Sequence, residues 1–172
     1  MKASRTAAAS PDTVDTRSSP WFDPGAAGER LGVEDFPTFI LGHLSSALQR
    51  QVTAAYLETF DLPAPQWRIL AALAAYAPMS LSELVKLSMS DKALVSRTVQ
   101  TLVERGLAQV DADPDHGKKI VCRITPKGKA LYQRVLPKAR EAQVRVLELL
   151  DPQERAVLHA TLLKLRKALG RA

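Results

Sequence analysis

Between Ser80 and Gly128 the chain carries helix start and stop signals so close together that only short elements fit between them. Ser80-Leu-Ser-Glu83 has the residues of a capping box, in which a hydroxyl and a carboxylate each satisfy an orphan amide at a helix start. The helix it opens carries Leu81, Leu84, Val85 and Leu87, and Ser88-Met-Ser90 makes a turn. Ser90 is suited to cap a second helix, Asp91 to Arg105, and Gly106 supplies the positive φ that ends helices. Val110 and Ile120-Val-Cys-Arg-Ile124 have strand character and flank a polar tip, Asp111 to Lys119. Two short helices and then a hairpin with a basic tip is the order of a winged helix-turn-helix. Such a module sets its second helix in a DNA major groove and its hairpin loop in the flanking minor groove.

Residues 91–105 set out at 100° intervals separate into two arcs. Val95, Val99, Leu102 and Val103 fall together and are expected in the core. Ala93, Ser96, Arg97 and Gln100 fall opposite, where a groove reader needs them. Arg97 can fork to guanine or grip a phosphate, Gln100 can pair with adenine, and the small Ala93 and Ser96 allow close approach. Lys92 and Ser90, at the helix start, are placed for a phosphate, as are the free amides there. His116, Lys118 and Lys119 at the hairpin tip suit a minor groove or its phosphates, although Asp111, Asp113 and Asp115 temper the field.

The net charge of +6 is unevenly spread. Residues 33–85 carry a net −3, whereas residues 86–130 carry +4, so the cationic excess begins where the module does. Residues 1–32, rich in Ala, Ser, Pro and Gly, read as a flexible arm. A helix is expected over Asp35–Thr59, with Phe36, Ile40, Leu44, Ala47 and Leu48 at helical spacing. Asp61-Leu-Pro-Ala-Pro65 breaks it, and Pro65 suits the first position of the next helix, Pro65 to Tyr76. Thr125-Pro126 and Asp151-Pro-Gln-Glu154 open two more, which end near Leu150 and Leu169. The stripes of helices 36–59, 126–150 and 152–169 exceed what a small winged-helix core can cover. They are expected to bury against a second copy, with an intramolecular bundle as the alternative. The fold class is mainly α with a small β-hairpin wing: a winged helix-turn-helix plus a helical dimerisation domain. The divisions are a 1–32 arm, a 33–60 dimerisation helix, a 61–125 DNA-binding domain and 126–172 dimerisation helices. One cysteine rules out an intrachain disulfide framework. Neither a membrane-length apolar run nor a signal-peptide core is present, and a cytoplasmic protein is expected.

Residues 33–170 resemble the MarR family of bacterial regulators. The resemblance is carried by Gln66-Trp67-Arg68-Ile69-Leu70, Leu84, Val95-Ser96-Arg97, Leu102 with Gly106-Leu107, and Ile124-Thr125-Pro126-Lys127-Gly128. It implies a homodimer on a palindromic operator in double-stranded DNA, repression as the common mode, and release by a small ligand. One departure stands in the wing. Where the family carries Asp-x-Arg, this chain has His116 and Lys118, with Asp115 one residue out of place. Lysine lacks arginine's planar fork, which favours phosphate contact over groove insertion.

The resemblance also implies an effector site between the dimerisation helices and the DNA-binding lobe, suited to aromatic acids, phenolics or aromatic acyl thioesters such as acyl-CoA. His43 and Arg50 lie close to one line along their helix. With Trp67 and Arg68 they offer an aromatic wall and a cation for a carboxylate. Cys122, beside Val121 in a wing strand, reads as a packing residue, redox sensing being the alternative. The histidines (43, 116 and 159) fall on separate elements, and neither a phosphate loop nor a nucleophile–base pair stands out. No enzymatic activity, metal or cofactor is therefore expected. A winged helix that binds protein instead of DNA is the closest rival.

Overall fold

The computed structural model describes residues 19–88, 90–112 and 120–170. The chain divides into two compact units, Met1–Ser46 and Ala47–Ala172.

In the first unit, residues 19–32 form successive turns, with Gly25 and Gly28 at positive φ. Trp21 donates its indole N–H to the Asp35 carbonyl, and Arg30 pairs with Asp23. A 3-10 turn, Val33–Asp35, leads into α1, Pro37–Leu48. Instead of one helix over 35–59, α1 gives way to a π turn, Gln49–Thr53. α2, Ala54–Leu57, and a 3-10 turn, Glu58–Phe60, follow within the second unit. Hydrophobic spacing reports which residues are apolar and cannot register a one-residue change of backbone hydrogen-bond partner.

The second unit holds the module. α3 runs Ala64–Tyr76 with Pro63 at its N-cap, so Pro65 occupies the second helical position, not the first. A two-residue strand, β1 (Met79–Ser80), precedes α4, Leu81–Ser88. The capping box forms as its residues dictate: Glu83 accepts from the Ser80 N–H at 2.7 Å, and the Glu83 N–H reaches Ser80 Oγ at 3.3 Å. α5 spans Lys92–Glu104, β2 Ala108–Ala112 and β3 Ile120–Ile124. The sheet order is β1-β3-β2, antiparallel throughout, with Met79 and Val110 flanking Cys122 on either side. Asp111 and Ala112 therefore belong to a strand and not to the tip. α6 runs Pro126–Leu147, opened by Thr125, and ends short of the expected Leu150. α7 runs Pro152–Leu169 behind the Asp151–Glu154 capping box.

The core gathers Leu57, Leu62, Ile69, Leu70, Leu73, Leu84, Val95, Leu102, Leu107, Cys122 and Val135, each under 4% exposed. Each such side chain contributes roughly 1.5–3 kcal/mol by leaving water. α3 is central: it packs against α4, α5, α6 and β3. α7 contributes nothing to this core, and none of its residues is buried.

Candidate nucleic-acid interface

α5 separates into two faces. Val95, Thr98, Val99 and Leu102 are buried, while Ala93, Ser96, Arg97 and Gln100 are exposed together. Two details differ from the expected arcs. Val103 is 38% exposed and Thr98 only 6%. The buried arc is centred near Leu102, which leaves Val103 about 100° away and Thr98 closer to it. Thr98 is accommodated because its hydroxyl donates to the Leu94 carbonyl at 2.7 Å, leaving its methyl to pack.

The N-cap of α5 is Asp91, not Ser90. Asp91 Oδ1 accepts from the Leu94 N–H at 2.8 Å, while the Ser90 hydroxyl turns back to the Ser88 carbonyl at 3.2 Å. A carboxylate at this position also complements the positive end of the helix dipole. It makes the first turn less inviting to a phosphate than free amides alone, so Lys92, exposed beside it, is the cation available there. Along the exposed arc, Arg97 has no carboxylate partner among the described residues. Gln100 donates to Glu104 Oε1 at 3.1 Å, which steadies the amide and puts one negative charge at the far end of the exposed arc.

The far end of α5 is tied down by main-chain and side-chain bonds. Gly106, at φ 68, turns the chain so that the Leu107 N–H reaches the Leu102 carbonyl at 2.8 Å. Thr125 Oγ1 donates to the Gly106 carbonyl at 2.7 Å, and Lys127 Nζ donates to the Arg105 carbonyl at 2.8 Å. Arg105 reaches across to Gln66 Oε1 at 2.6 Å. The reading helix, the wing strands and the start of α6 thus meet at one knot. The wing-tip residues His116, Lys118 and Lys119 lie outside the described residues.

A groove of about 690 Å³ opens on another face of the same unit. Trp67 and Arg68 from α3 line it with Gln49, Thr53 and Tyr56 from the segment around the π turn, and Gln143 from α6. Arg68 donates to Gln49 Oε1 at 2.7 Å, and Trp67 stacks on Tyr132 with ring centroids 5.6 Å apart. Burial pushes the Tyr56 phenol up, partly offset by hydrogen bonds with Thr53 and Trp67, so it remains a neutral donor. Of the four expected effector residues, the groove unites Trp67 and Arg68. Arg50 is exposed and does not line it, since it follows Gln49 by one residue and so points about 100° away. His43 belongs to the first unit, exposed and packed on Phe39 with ring centroids 4.2 Å apart. Gln49, Thr53 and Tyr56 stand four and three residues apart, the spacing of one helical face.

Cys122 is 1% exposed, and burial pushes its thiol up from the ordinary value. That is the opposite of what a reactive sensor thiol requires. Among the described residues no group of three His, Cys, Asp or Glu is placed to hold a metal, and no helix is long and apolar enough to cross a membrane.

The MarR family model matches residues 60–119, the stretch from the end of the first helical run up to the start of β3. The HTH-type transcriptional repressor NicR of Pseudomonas putida is 30% identical over 121 residues, covering 69% of this chain and 77% of NicR. The chain belongs to the MarR family. Its likeness to solved members is as clear. The BpsR protein of Bordetella bronchiseptica, whose DNA binding is regulated by 6-hydroxynicotinic acid, shares 32% identity at a TM-score of 0.61, over 73% of this chain and 97% of BpsR. A MarR/EmrR family transcriptional regulator from Acinetobacter sp. ADP1 superposes at a TM-score of 0.73 with 25% identity, over 83% of this chain and all of the other. In this MarR-family chain α4 and α5 are thus the helix-turn-helix, and β2 and β3 are the wing.

Proposed function

We propose that this chain is a transcriptional repressor that grips a palindromic operator as a homodimer and lets go when a small aromatic acid enters the groove beside Arg68. One observation carries the DNA reading. The exposed arc of α5 presents two small residues, an arginine without a carboxylate partner among the described residues, and a glutamine, on the second helix of a helix-turn-helix. Two such helices about 34 Å apart meet successive major grooves on one side of a duplex. Lys92 and the wing's His116, Lys118 and Lys119 serve the phosphates, and Ser90 contributes through the turn it steadies.

Pairing of two copies is supported by the apolar surface left bare in one. Leu158, Leu162, Leu165 and Leu169 stand at three and four spacing on α7, each more than 40% exposed, and Phe36, just before α1, with Phe39 and Leu44 on it, is in the same condition. Solvating so many large side chains is costly, and a second copy removes that cost.

The groove favours a flat anion. The Arg68 fork already holds an amide oxygen and would hold a carboxylate more strongly, with Trp67 as the ring's wall. BpsR's response to 6-hydroxynicotinic acid supports this class of effector. Arg68 and Ser88 line this groove and also the crevice against Leu94, Val95 and Thr98, so a ligand that pulls Arg68 acts on the seating of α5.

Selecting bound fragments from the source genome tests the DNA reading. The expected outcome is one palindrome, bound with a steep loss of affinity in salt. On it, Arg97→Ala and Gln100→Ala each lower discrimination by about 1–3 kcal/mol per base pair read. Binding that prefers no fragment over random competitor makes the protein-binding alternative the better reading. 6-Hydroxynicotinate and an aromatic acyl-thioester panel, added to the bound complex, test the effector class, with Arg68→Gln as the insensitive variant.

A further inference from the structure

At the knot where α5 ends and α6 begins, a second concavity of about 380 Å³ lies on the second unit. Phe60, Leu107 and Leu131 make its apolar floor; Arg105, Lys127 and Arg134 stand around it. Two of these cations are already engaged. Arg105 bonds Gln66 and stands 3.6 Å from the exposed Asp61, and Lys127 caps the Arg105 carbonyl. Arg134 is not. Its guanidinium lies over the Phe60 ring, 5.7 Å from the centroid, without a carboxylate partner among the described residues. The helix around it offers none: residues 126–140 include Lys127, Lys129, Arg134, Lys138 and Arg140, and the first acid is Glu141. Glu141 is held by Lys138 and Arg145.

We propose that this concavity is a second small-molecule site, taking an amphipathic anion with a carboxylate on Arg134 and a hydrocarbon or aromatic body against Phe60, Leu107 and Leu131. The chemistry follows from the lining. A bare inorganic anion would leave the floor wet, and a neutral hydrocarbon would leave the guanidinium unanswered. The volume fits a body of one or two fused rings. The site is separate from the groove beside Arg68, with which it shares no lining residue. Its lining residue nearest the reading helix, Arg105 at the C-cap of α5, lies five residues beyond Gln100, about 7.5 Å along the helix from the end of the exposed arc. An occupant that attracts Lys127 competes with its bond to the Arg105 carbonyl, so the site bears on the C-terminal anchor of the reading helix.

The test is a titration of the full chain with fluorescent 1-naphthoate, read by fluorescence and by amide chemical shifts. 1-Naphthamide and inorganic phosphate are the comparison probes. The expected result is saturable naphthoate binding with shifts centred on Leu107, Ala130 and Leu131, unchanged by Arg68→Gln. Exposed Arg134→Gln, which leaves melting unaltered, should weaken it about tenfold. Naphthamide should bind as weakly to the native chain as naphthoate does to that variant, and phosphate should give no saturation. Any of three results overturns the proposal: shifts confined to the Arg68 groove, equal binding of naphthoate and naphthamide, or Arg134→Gln reducing affinity for duplex DNA in the absence of naphthoate. The last would assign these cations to a DNA phosphate footprint.

Discussion

Gly128, at the third position of α6, has less room than any other glycine among the described residues. A Cβ built there would lie 2.0 Å from the Leu107 carbonyl oxygen, and 2.9 Å from both Leu107 C and Ile124 Cγ1. To reach even the tightest contacts that real side chains make, that carbonyl must retreat by about 1 Å. It has little freedom to do so. Its N–H is bonded to Leu102 at 2.8 Å, its oxygen accepts from the Thr125 N–H at 3.2 Å, and Leu107 is 3% exposed. Overpacking costs about 1–3 kcal/mol and loss of the Thr125 bond about 1 kcal/mol. Alanine's better helix propensity returns at most about 1 kcal/mol. Gly128→Ala should therefore lose about 1–4 kcal/mol, lowering Tm by roughly 2–16 °C for a chain of this size. Gly106→Ala provides the contrast. Its Cβ would meet nothing nearer than Lys127 Cδ at 3.9 Å, so only the left-handed backbone at φ 68 resists it, at about 1–2 kcal/mol. Asparagine there should cost less than alanine, whereas asparagine at Gly128 should be worse. Urea unfolding followed through Trp67 fluorescence, at one fixed protein concentration, measures all four variants. A Gly128→Ala chain that unfolds within about 0.5 kcal/mol of the parent would refute the account of how α6 seats against Leu107.

Three further outcomes are expected. Leu162→Glu on α7 should turn a dimer in sedimentation velocity into a monomer and leave the far-ultraviolet spectrum of the second unit intact, since no α7 residue belongs to its core. Asp91→Ala removes the bond to the Leu94 N–H and should cost about 1 kcal/mol in urea unfolding, whereas Ser90→Ala should cost clearly less. Burial pushes the Cys122 thiol up, so the folded chain keeps a proton that the unfolded chain releases at about pH 8.5 and above. That contribution is complete below the unfolded value and is lost as pH rises towards the folded one. Urea midpoints should fall through the alkaline range and fall less steeply in Cys122→Val.

The parts read correctly from sequence are those where local chemistry and tertiary packing demand the same thing. Ser80 and Glu83 satisfy each other's helix start wherever the helix sits, and Pro126 and Pro152 follow caps that need no distant partner. The two arcs of α5 were legible because a 100° step is a property of the helix itself. Local sequence is ambiguous where a second choice is nearly as good. Ser90 and Asp91 are both good caps, and the decision fell to Asp91 because its carboxylate reaches the Leu94 amide while Ser90 completes the turn behind it. Val103 is exposed although apolar, and Thr98, which belongs to neither expected arc, is buried because its hydroxyl is satisfied by the Leu94 carbonyl.

Features set by distant partners left no mark in the pattern. β1 has two residues, too few to show alternation, and exists because Met79 and Ser80 meet Cys122 and Val121 of β3. Gln49, Thr53 and Tyr56, four and three residues apart, line the groove, and Arg50 does not. A groove of this kind is assembled from elements far apart in sequence, and of the residues expected at an effector site only Trp67 and Arg68, adjacent on one helix, line it. The same reasoning explains why α7 was the easiest helix to delimit and the hardest to account for within one chain. Its caps are local, but the row Leu158, Leu162, Leu165 and Leu169 has no buried counterpart in the second unit. A regular stripe kept along the whole of α7 and matched by nothing in its own unit is what an oligomeric interface looks like from one side, and Leu162→Glu strikes its centre.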